Sequence, residues 1–263
     1  MSPWKWMIAV LIICAVPISA NAEPERTIWA WDTRTPDEGN FSSSLWWGYE
    51  TFEYKHIDAD GETMTTSFFL SYGILANWSV GFKATYDKWQ ETGYGVKFSE
   101  EGAGDAGAIT TFRIFDEDES GIDFALRGSL RIPAGDEEKY LGTGNWEPKL
   151  QLLAAKTLGN FLAVTNLGIR RIIDSVEDEA DFIFNASFEG VLSLTGQLSA
   201  SASVAAWTSR WKTSAENTCL QLGGGLRFTP REKSFFSLAV YRLVDSAVYN
   251  DDWYLSLGAG IEF

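Results

Sequence analysis

The sequence predicts an all-β protein: a single 12-stranded antiparallel β-barrel that crosses a membrane. Three observations support this fold class. Apolar and polar residues alternate along many short segments, the connections between those segments alternate between short and long, and tryptophans fall near the segment ends. A period of two is typical of strands with one apolar and one polar face, and the sorted loops and tryptophan positions are typical of membrane barrels.

Alternation is clearest in residues 253–263. Every second residue there is apolar, from Trp253 to Phe263, and the residues between them are polar, small or charged. The segment resembles the last strand of bacterial outer-membrane barrels, which ends on an aromatic residue. The resemblance implies that Phe263 is an assembly signal for the barrel-assembly machinery.

The first residues predict export. Residues 1–22 combine a positive charge at Lys5, a short apolar run and a small-residue cleavage site, which is the pattern of a signal peptide. The run is too short to span a bilayer as a helix. We therefore expect a cleaved signal peptide at 1–22, a periplasmic lead-in at 23–40, and a barrel at 41–263 in the outer membrane of a Gram-negative envelope.

Composition limits the chemistry. The formal net charge of −15 at pH 7 argues against nucleic acid as a partner. Cys219 is the only cysteine beyond the signal segment, so we expect no internal disulfide and no thiolate metal site. His56 is the only histidine, which leaves no His/Cys zinc site. We expect neither a metal nor a cofactor.

The pattern after the lead-in predicts one domain without a helical period. The predicted strands are 41–54, 64–75, 78–88, 106–115, 122–132, 146–157, 161–171, 182–192, 197–211, 218–228, 234–244 and 253–263. In the fifth of these, apolar residues alternate with Asp123, Arg127, Ser129 and Arg131. This pattern predicts an apolar outer face and a polar inner face.

The connections predict the orientation of the barrel. With the N-terminus in the periplasm, the even connections are short turns (76–77, 116–121, 158–160, 193–196 and 229–233). Most odd connections, expected outside the cell, are longer (56–63, 89–105, 133–145, 172–181, 212–217 and 245–252). A soluble β-sandwich, the alternative, gives no reason for loops sorted in this way.

Tryptophans near the strand ends predict aromatic girdles at the two membrane interfaces. The predicted interface residues are Trp78, Trp89, Trp146, Trp211 and Trp253. The alternative is that they are core aromatics of a sandwich.

Three glycine-containing motifs resemble the outer-membrane family named for the meta-pathway of phenol degradation. They are Thr33-Arg34-Thr35-Pro36-Asp37-Glu38-Gly39-Asn40-Phe41 followed by Gly48-Tyr49-Glu50, then Gly102-Ala103-Gly104-Asp105, then Leu130-Arg131-Ile132-Pro133-Ala134-Gly135-Asp136 followed by Leu141-Gly142-Thr143-Gly144. The resemblance implies a transporter of small, often aromatic or hydrophobic, compounds. It supplies no catalytic residues.

Catalytic chemistry has one weak candidate. A His-dependent hydrolase would need His56 beside an activated serine and an orienting acid. His56 falls in a predicted external connection, which favours a solvated loop residue, so we expect no enzyme activity. Gly223-Gly224-Gly225 lies inside a predicted strand, so it indicates close packing or a kink and not a phosphate-binding loop.

Charged and aromatic residues of the inner face are the candidate solute path. Cations from the third to sixth strands are expected to form one basic wall, acids lie on other strands, and aromatic rings add apolar surface. The residues are Lys83, Arg113, Arg127, Arg131 and Lys149, then Glu50 and Glu189, then Trp46, Phe69, Trp207 and Tyr241. The alternative is a filled lumen in which these charges pair only for stability.

The sequence therefore predicts a passive outer-membrane channel for small solutes, such as aromatic or hydrophobic compounds or small organic anions. Expected partners are outer-membrane lipid, lipopolysaccharide and the solute itself. Acidic loop clusters at 136–138, 177–181 and 251–252 are either solvated charge or sites for divalent cations that bridge to lipopolysaccharide. A closed structural or adhesive barrel and, with less support, an outer-membrane hydrolase are the alternatives.

Overall fold

The structure, a computed structural model, describes residues 32–54, 59–93, 96–173, 175, 179–208, 218–231, 233–245 and 249–263. The predicted signal peptide, His56 and Trp211 lie outside the described residues, and so do parts of several loops. The strands are β1 (Phe41–Tyr54), β2 (Ala59–Leu75), β3 (Trp78–Gly93), β4 (Val96–Ala103), β5 (Ala106–Phe115), β6 (Asp123–Ile132), β7 (Glu147–Leu158), β8 (Phe161–Arg171), β9 (Phe182–Ser193), β10 (Leu198–Thr208), β11 (Thr218–Arg231), β12 (Ser234–Asp245) and β13 (Tyr249–Glu262). A one-turn helix, α1 (Glu117–Ser120), joins β5 to β6.

The strands form a closed antiparallel barrel of twelve wall positions. Apart from β4 and β5, which both pair with β3, each strand pairs with its neighbours in sequence, and β1 closes the sheet by pairing with both β2 and β13. β4 and β5 share one wall position, because β4 pairs with residues 86–93 of β3 and β5 pairs with residues 78–83. The wall is interrupted between them at Gly104 and Asp105. The predicted 12-stranded barrel is confirmed.

Polarity is reversed relative to a soluble protein. The outer face exposes apolar side chains along the strands, among them Phe68, Phe82, Leu152, Leu167, Phe184, Leu226 and Leu238. The inner face buries polar ones, among them Ser67, Thr111, Arg127, Gln151, Asn166, Glu189 and Arg227. Because residues i and i+2 of a strand share a face, this assignment follows strand by strand. In β13, Ser256 and Glu262 are buried while Trp253 and Leu257 are exposed, as the alternation predicts.

The strand bounds differ from the predicted ones mainly at one end of the barrel. β2 begins at Ala59, β3 continues to Gly93 and β13 begins at Tyr249, so three expected long connections are partly strand. The segment 89–105, predicted as a loop, contains the end of β3 and all of β4. The prediction failed there because only Val96 and Phe98 of β4 alternate with polar residues, and the pattern does not continue through the rest of the strand.

The two ends of the barrel differ in their connections. One end carries the connections 76–77, 116–122, 159–160, 194–197 and 232–233, and we call it the turn end. The other end, the loop end, carries the connection 133–146, which includes a 3-10 helix at Glu137–Lys139. Among the described residues, no helix is long and apolar enough to cross a membrane.

Residues 32–40 precede β1 at the turn end. Asp32 and Thr33 are fully buried, whereas Glu38 is exposed. Backbone hydrogen bonds join Gly39 N to Gly73 O (2.8 Å) and Gly73 N to Asn40 O (3.0 Å). The segment therefore begins buried and reaches the barrel wall beside β2.

Candidate functional site

The barrel interior carries the candidate site. By strand pairing and alternation, the structure places every predicted lumen residue on the inner face. These residues are Lys83, Arg113, Arg127, Arg131, Lys149, Glu50, Glu189, Trp46, Phe69, Trp207 and Tyr241. Whether a solute contacts them stays a prediction.

A basic cluster surrounds one buried carboxylate near the loop end. Glu147 is fully buried, and its Oε2 lies 3.1 Å from Arg131 Nη1 and 3.4 Å from Arg170 Nη1. Lys149 pairs with Arg170 across the β7–β8 ladder and lies close to Arg131. Lys83 pairs with Gly107 of β5, and Gly107 pairs with Arg131, so Lys83 and Arg131 lie in the same row across the strands. Two arginines thus contact one buried acid, and two lysines lie in the neighbouring rows, Lys83 with Asp87 and Asp105 nearby.

The two arginines of this cluster remain accessible. The side chain of Arg131 is 35% exposed and that of Arg170 is 28% exposed. Arg170 was not among the predicted lumen residues, although it sits on the inner face next to outward-facing Ile169. Its inward position follows from alternation along β8, whereas its place in the cluster follows from the register between β7 and β8, which the sequence pattern does not give.

The predicted basic wall is not continuous. Arg127 is buried deeper than the cluster, and its Nε donates to Thr111 Oγ1 at 2.9 Å. Arg113 lies at the turn end, 2.9 Å from Asp116 Oδ2, and also donates to Ala76 O. The expectation that Arg113 joins the other cations was wrong, because β5 carries it to the opposite end of the lumen.

An acidic and aromatic row runs across other strands. Cross-strand pairing links Glu50 to Tyr254, Tyr254 to Tyr241, and Tyr241 through Gly223 to Ser203 and Glu189. The two tyrosine rings are 5.9 Å apart, tilted by 42°.

Glycines in this row make room for the rings. A Cβ at Gly223 would lie 2.0 Å from the Tyr241 ring, and one at Gly48 would lie 2.1 Å from the Tyr254 hydroxyl. The close packing predicted for the glycine run is therefore observed at Gly223. Both glycines allow a tyrosine ring to lie flat on the inner wall.

An arginine and two aromatic rings form a third group nearer the turn end. The Arg227 guanidinium lies 3.9 Å from the Phe235 ring centroid, and the Trp46 ring is 5.8 Å from Phe235. A Cβ at Gly258 would lie 2.5 Å from the Trp46 ring, so this position also accommodates an inward ring. Arg227 and Phe235 were not predicted.

The connection 133–146 folds onto the wall at the break between β4 and β5. Asp105 holds it: Oδ2 accepts from Thr143 N at 3.0 Å and Thr143 Oγ1 at 2.9 Å, and Oδ1 accepts from Gly135 N at 3.3 Å. The Asp105 carbonyl accepts from Thr85 Oγ1 of β3 at 2.9 Å. One residue therefore joins the loop to two strands.

Glycines of the second and third motifs permit this contact. A Cβ at Gly102 would lie 2.9 Å from Leu141 Cδ1, and one at Gly142 would lie 2.6 Å from Asp105 Oδ1. A Cβ at Gly104 would lie 1.9 Å from Asp87 Oδ2. Residues that are far apart in sequence thus build one structural unit at the loop end.

Of the predicted interface tryptophans that the structure describes, three face outward and one faces inward. Trp78, Trp146 and Trp253 are exposed on the outside, and the Arg242 guanidinium lies 5.0 Å from the Trp253 ring. Trp89 instead shares the inner face of β3 with Asp87, and its ring lies 5.0 Å from that of Tyr140. Trp89 therefore does not lie in an outer girdle, because alternation along β3 gives it the inward direction of Lys83 and Asp87.

Phe263 follows β13 and pairs with the start of the barrel. Its N and O each form a 2.7 Å hydrogen bond with the backbone of Phe41, and the two rings are 6.1 Å apart. Its role as an assembly signal stays a prediction.

Among the described residues, no group of three or more His, Cys, Asp or Glu side chains could hold a metal ion. The predicted acidic clusters fall partly outside the described residues. Cys219 is a buried thiol on the inner face of β11 and forms no disulfide.

Comparisons with known proteins find similarity in structure alone. No family model and no curated protein matches the chain, so the resemblance to the phenol-degradation family stays a prediction. The NanC porin is similar with a TM-score of 0.59 and 7% identity over 83% of this chain and 98% of that chain. The KdgM porin has a TM-score of 0.53 and 8% identity over 84% of this chain and 99% of that chain. The translocator domain of the autotransporter NalP from Neisseria meningitidis has a TM-score of 0.51 and 11% identity over 85% of this chain and 88% of that chain.

Proposed function

We propose that the protein is a passive outer-membrane channel for small solutes, and that anions carrying an aromatic or apolar group pass best. The observation that supports this proposal is the segregation of charge inside an apolar exterior. A cluster of cations occupies one side of the lumen, and carboxylates with tyrosine rings occupy another. The apolar outer face fits lipid, and outward tryptophans at both ends fit its interfaces.

The similarity to porins supports the same function. NanC and KdgM are porins, and their fold extends over most of this chain. Residues of the basic cluster are partly exposed to the lumen, so they would act on a passing ion without the screening of bulk water. We place the turn end in the periplasm and the loop end outside the cell, with Phe263 as the assembly signal.

Conductance of the purified protein in planar bilayers tests the channel, and a matched pair of variants tests its selectivity. Arg170 faces the lumen, whereas the adjacent Arg171 lies on the outer face. Arg170→Gln should shift the reversal potential in a salt gradient towards cations, and Arg171→Gln should not. Equal shifts, or none, would contradict selection by the cluster.

A closed barrel with a structural or adhesive role is the second candidate. The observation that favours it is the burial of the inner face near the turn end, where Ala125 and Leu153 have no exposed surface. A folded protein that never conducts, in any variant, would support this candidate. Heat-modifiable migration on a denaturing gel would show in each case that the barrel is folded.

A further inference from the structure

Residues 32–38 lie against the inner wall at the turn end. Gly73 of β2 is buried and shares the inward face with Ser67. A Cβ at Gly73 would lie 2.1 Å from Asp37 O and 2.5 Å from Pro36 O. The absence of a side chain at this position is therefore what lets the segment approach the wall.

Other contacts hold the segment along one side of the opening. Asp37 N donates to Glu262 Oε1 of β13 at 3.4 Å, and Thr35 Oγ1 donates to Ala76 O at 3.2 Å. Arg34 lies close to Asp123 of β6. These contacts run in order from β13 and β2, past the turn at 76–77, to β6, so the segment lies inside the turn-end opening along this side of the wall.

The side chains deeper in this half are packed. Asp32 and Thr33 have no exposed surface, and neither do Ala125 and Leu153 on the inner wall, while Val164 is 1% exposed. Full burial of inward-facing residues means that the interior is filled at this level and not lined by water.

We propose that residues 32–38 are a plug that closes the turn-end half of the lumen, and that a solute passes only when this segment leaves the Gly73 surface. The proposal rests on the proposed channel function. Two hydrogen bonds, of 3.2 and 3.4 Å, join Thr35 and Asp37 to the wall. Gly39, between the plug and β1, has a positive φ of 82°, a conformation that glycine adopts without strain.

A single methyl group tests the plug by conductance. Gly73→Ala places a Cβ on the path of the segment and should displace it. Gly107→Ala is the matched control, since a Cβ there would meet its nearest atoms at ordinary distances of 3.5 and 3.6 Å. We expect a several-fold rise in mean single-channel current for Gly73→Ala and no change for Gly107→Ala, each with heat-modifiable, folded protein.

Cysteine labelling gives a second readout that does not depend on current. In a Cys219→Ser background, Thr33→Cys should react slowly with a membrane-impermeant maleimide because Thr33 is buried, whereas exposed Glu38→Cys should react fast. Adding Gly73→Ala should accelerate the reaction of Thr33→Cys and leave that of Glu38→Cys unchanged. This comparison remains informative if Gly73→Ala lowers the yield of folded protein.

The outcomes separate the two proposals. Equal current in wild type and Gly73→Ala, together with fast labelling of Thr33→Cys in the wild-type background, would overturn the plug and leave the channel intact. Faster labelling without current in any folded variant would overturn the channel and, with it, the role of the plug in solute passage. A rise in both current and labelling supports both.

Discussion

The loop-end and turn-end halves of the lumen differ in the polarity and the burial of their inward-facing side chains. Near the loop end, a buried acid contacts two arginines whose side chains are 35% and 28% exposed. Near the turn end, small and apolar residues such as Leu153 and Val164 are buried completely. The same alternating strands thus supply a solvated, charged interior at one end and a packed one at the other.

The difference would let the proposed channel combine stability with a passage. Packing in one half contributes dispersion and apolar burial, which a water-filled lumen cannot supply. Charges in the other half stay solvated enough to attract a solute. On this view the turn-end half sets stability and closure, and the loop-end half sets selectivity. Each of the following changes tests one side of that division.

The largest effect is expected in the packed half, at Leu153. Leu153→Ala should lower the free energy of unfolding by about 4 kcal/mol, since the cost of a cavity adds to that of lost burial. Leu152→Ala is the control on the adjacent outward position, where lipid can fill the space and a smaller loss is expected. Urea unfolding from lipid bilayers measures both. Equal, small losses would mean that water fills the turn-end half.

A slightly smaller effect is expected in the charged half, at Glu147. Glu147→Gln keeps the shape but removes the carboxylate from between Arg131 and Arg170, which should destabilise the barrel by about 3 kcal/mol. The control is Asp136→Asn, whose 3.4 Å pair with Lys139 is about half exposed and should contribute about 1 kcal/mol or less. The same unfolding assay applies. If the two variants lose equal stability, Glu147 does not organise the cluster.

The wall of the barrel was predictable from sequence because alternation is a local property. Every strand of the predicted set has a counterpart, and the inward positions of Arg127, Glu189 and Tyr241 follow from period two alone. β4 was missed because its apolar alternation ends after Phe98. Local pattern thus identifies those strands that have one apolar and one polar side.

The arrangement inside the lumen was less predictable because it depends on register. Arg113 and Arg131 both face inward, yet pairing places them at opposite ends. Arg170 joins the cluster only through its pairing with Lys149. The fold of residues 32–38 into the opening depends on Gly73, which no pattern near the segment indicates.

A moderate effect is expected at Asp105, which fixes the connection 133–146 over the charged half. Asp105→Ala removes the acceptor of three hydrogen bonds and should cost about 2 kcal/mol, because charged acceptors contribute more than neutral ones. Limited proteolysis should then cleave within 133–146, whereas Asp136→Ala, in the same loop, should leave it resistant. A protease-resistant loop in both variants would show that its other contacts suffice.

The smallest effect is expected where an aromatic ring meets the basic cluster. Lys83 Nζ lies 5.4 Å from the centroid of Phe69, which pairs with it on the inner face. Phe69→Leu keeps an apolar side chain but removes the ring quadrupole, so the free energy of unfolding should fall by about 0.5–1 kcal/mol. Phe68→Leu is the control, because the adjacent residue faces outward and contacts no lumen cation. A double-mutant cycle with Lys83→Met isolates the interaction from the change in volume. A coupling energy of zero would mean that the charges around Lys83 hold it in place and that the Phe69 ring does not. The aromatic ring would then contribute nothing to the stability of the charged half at this position.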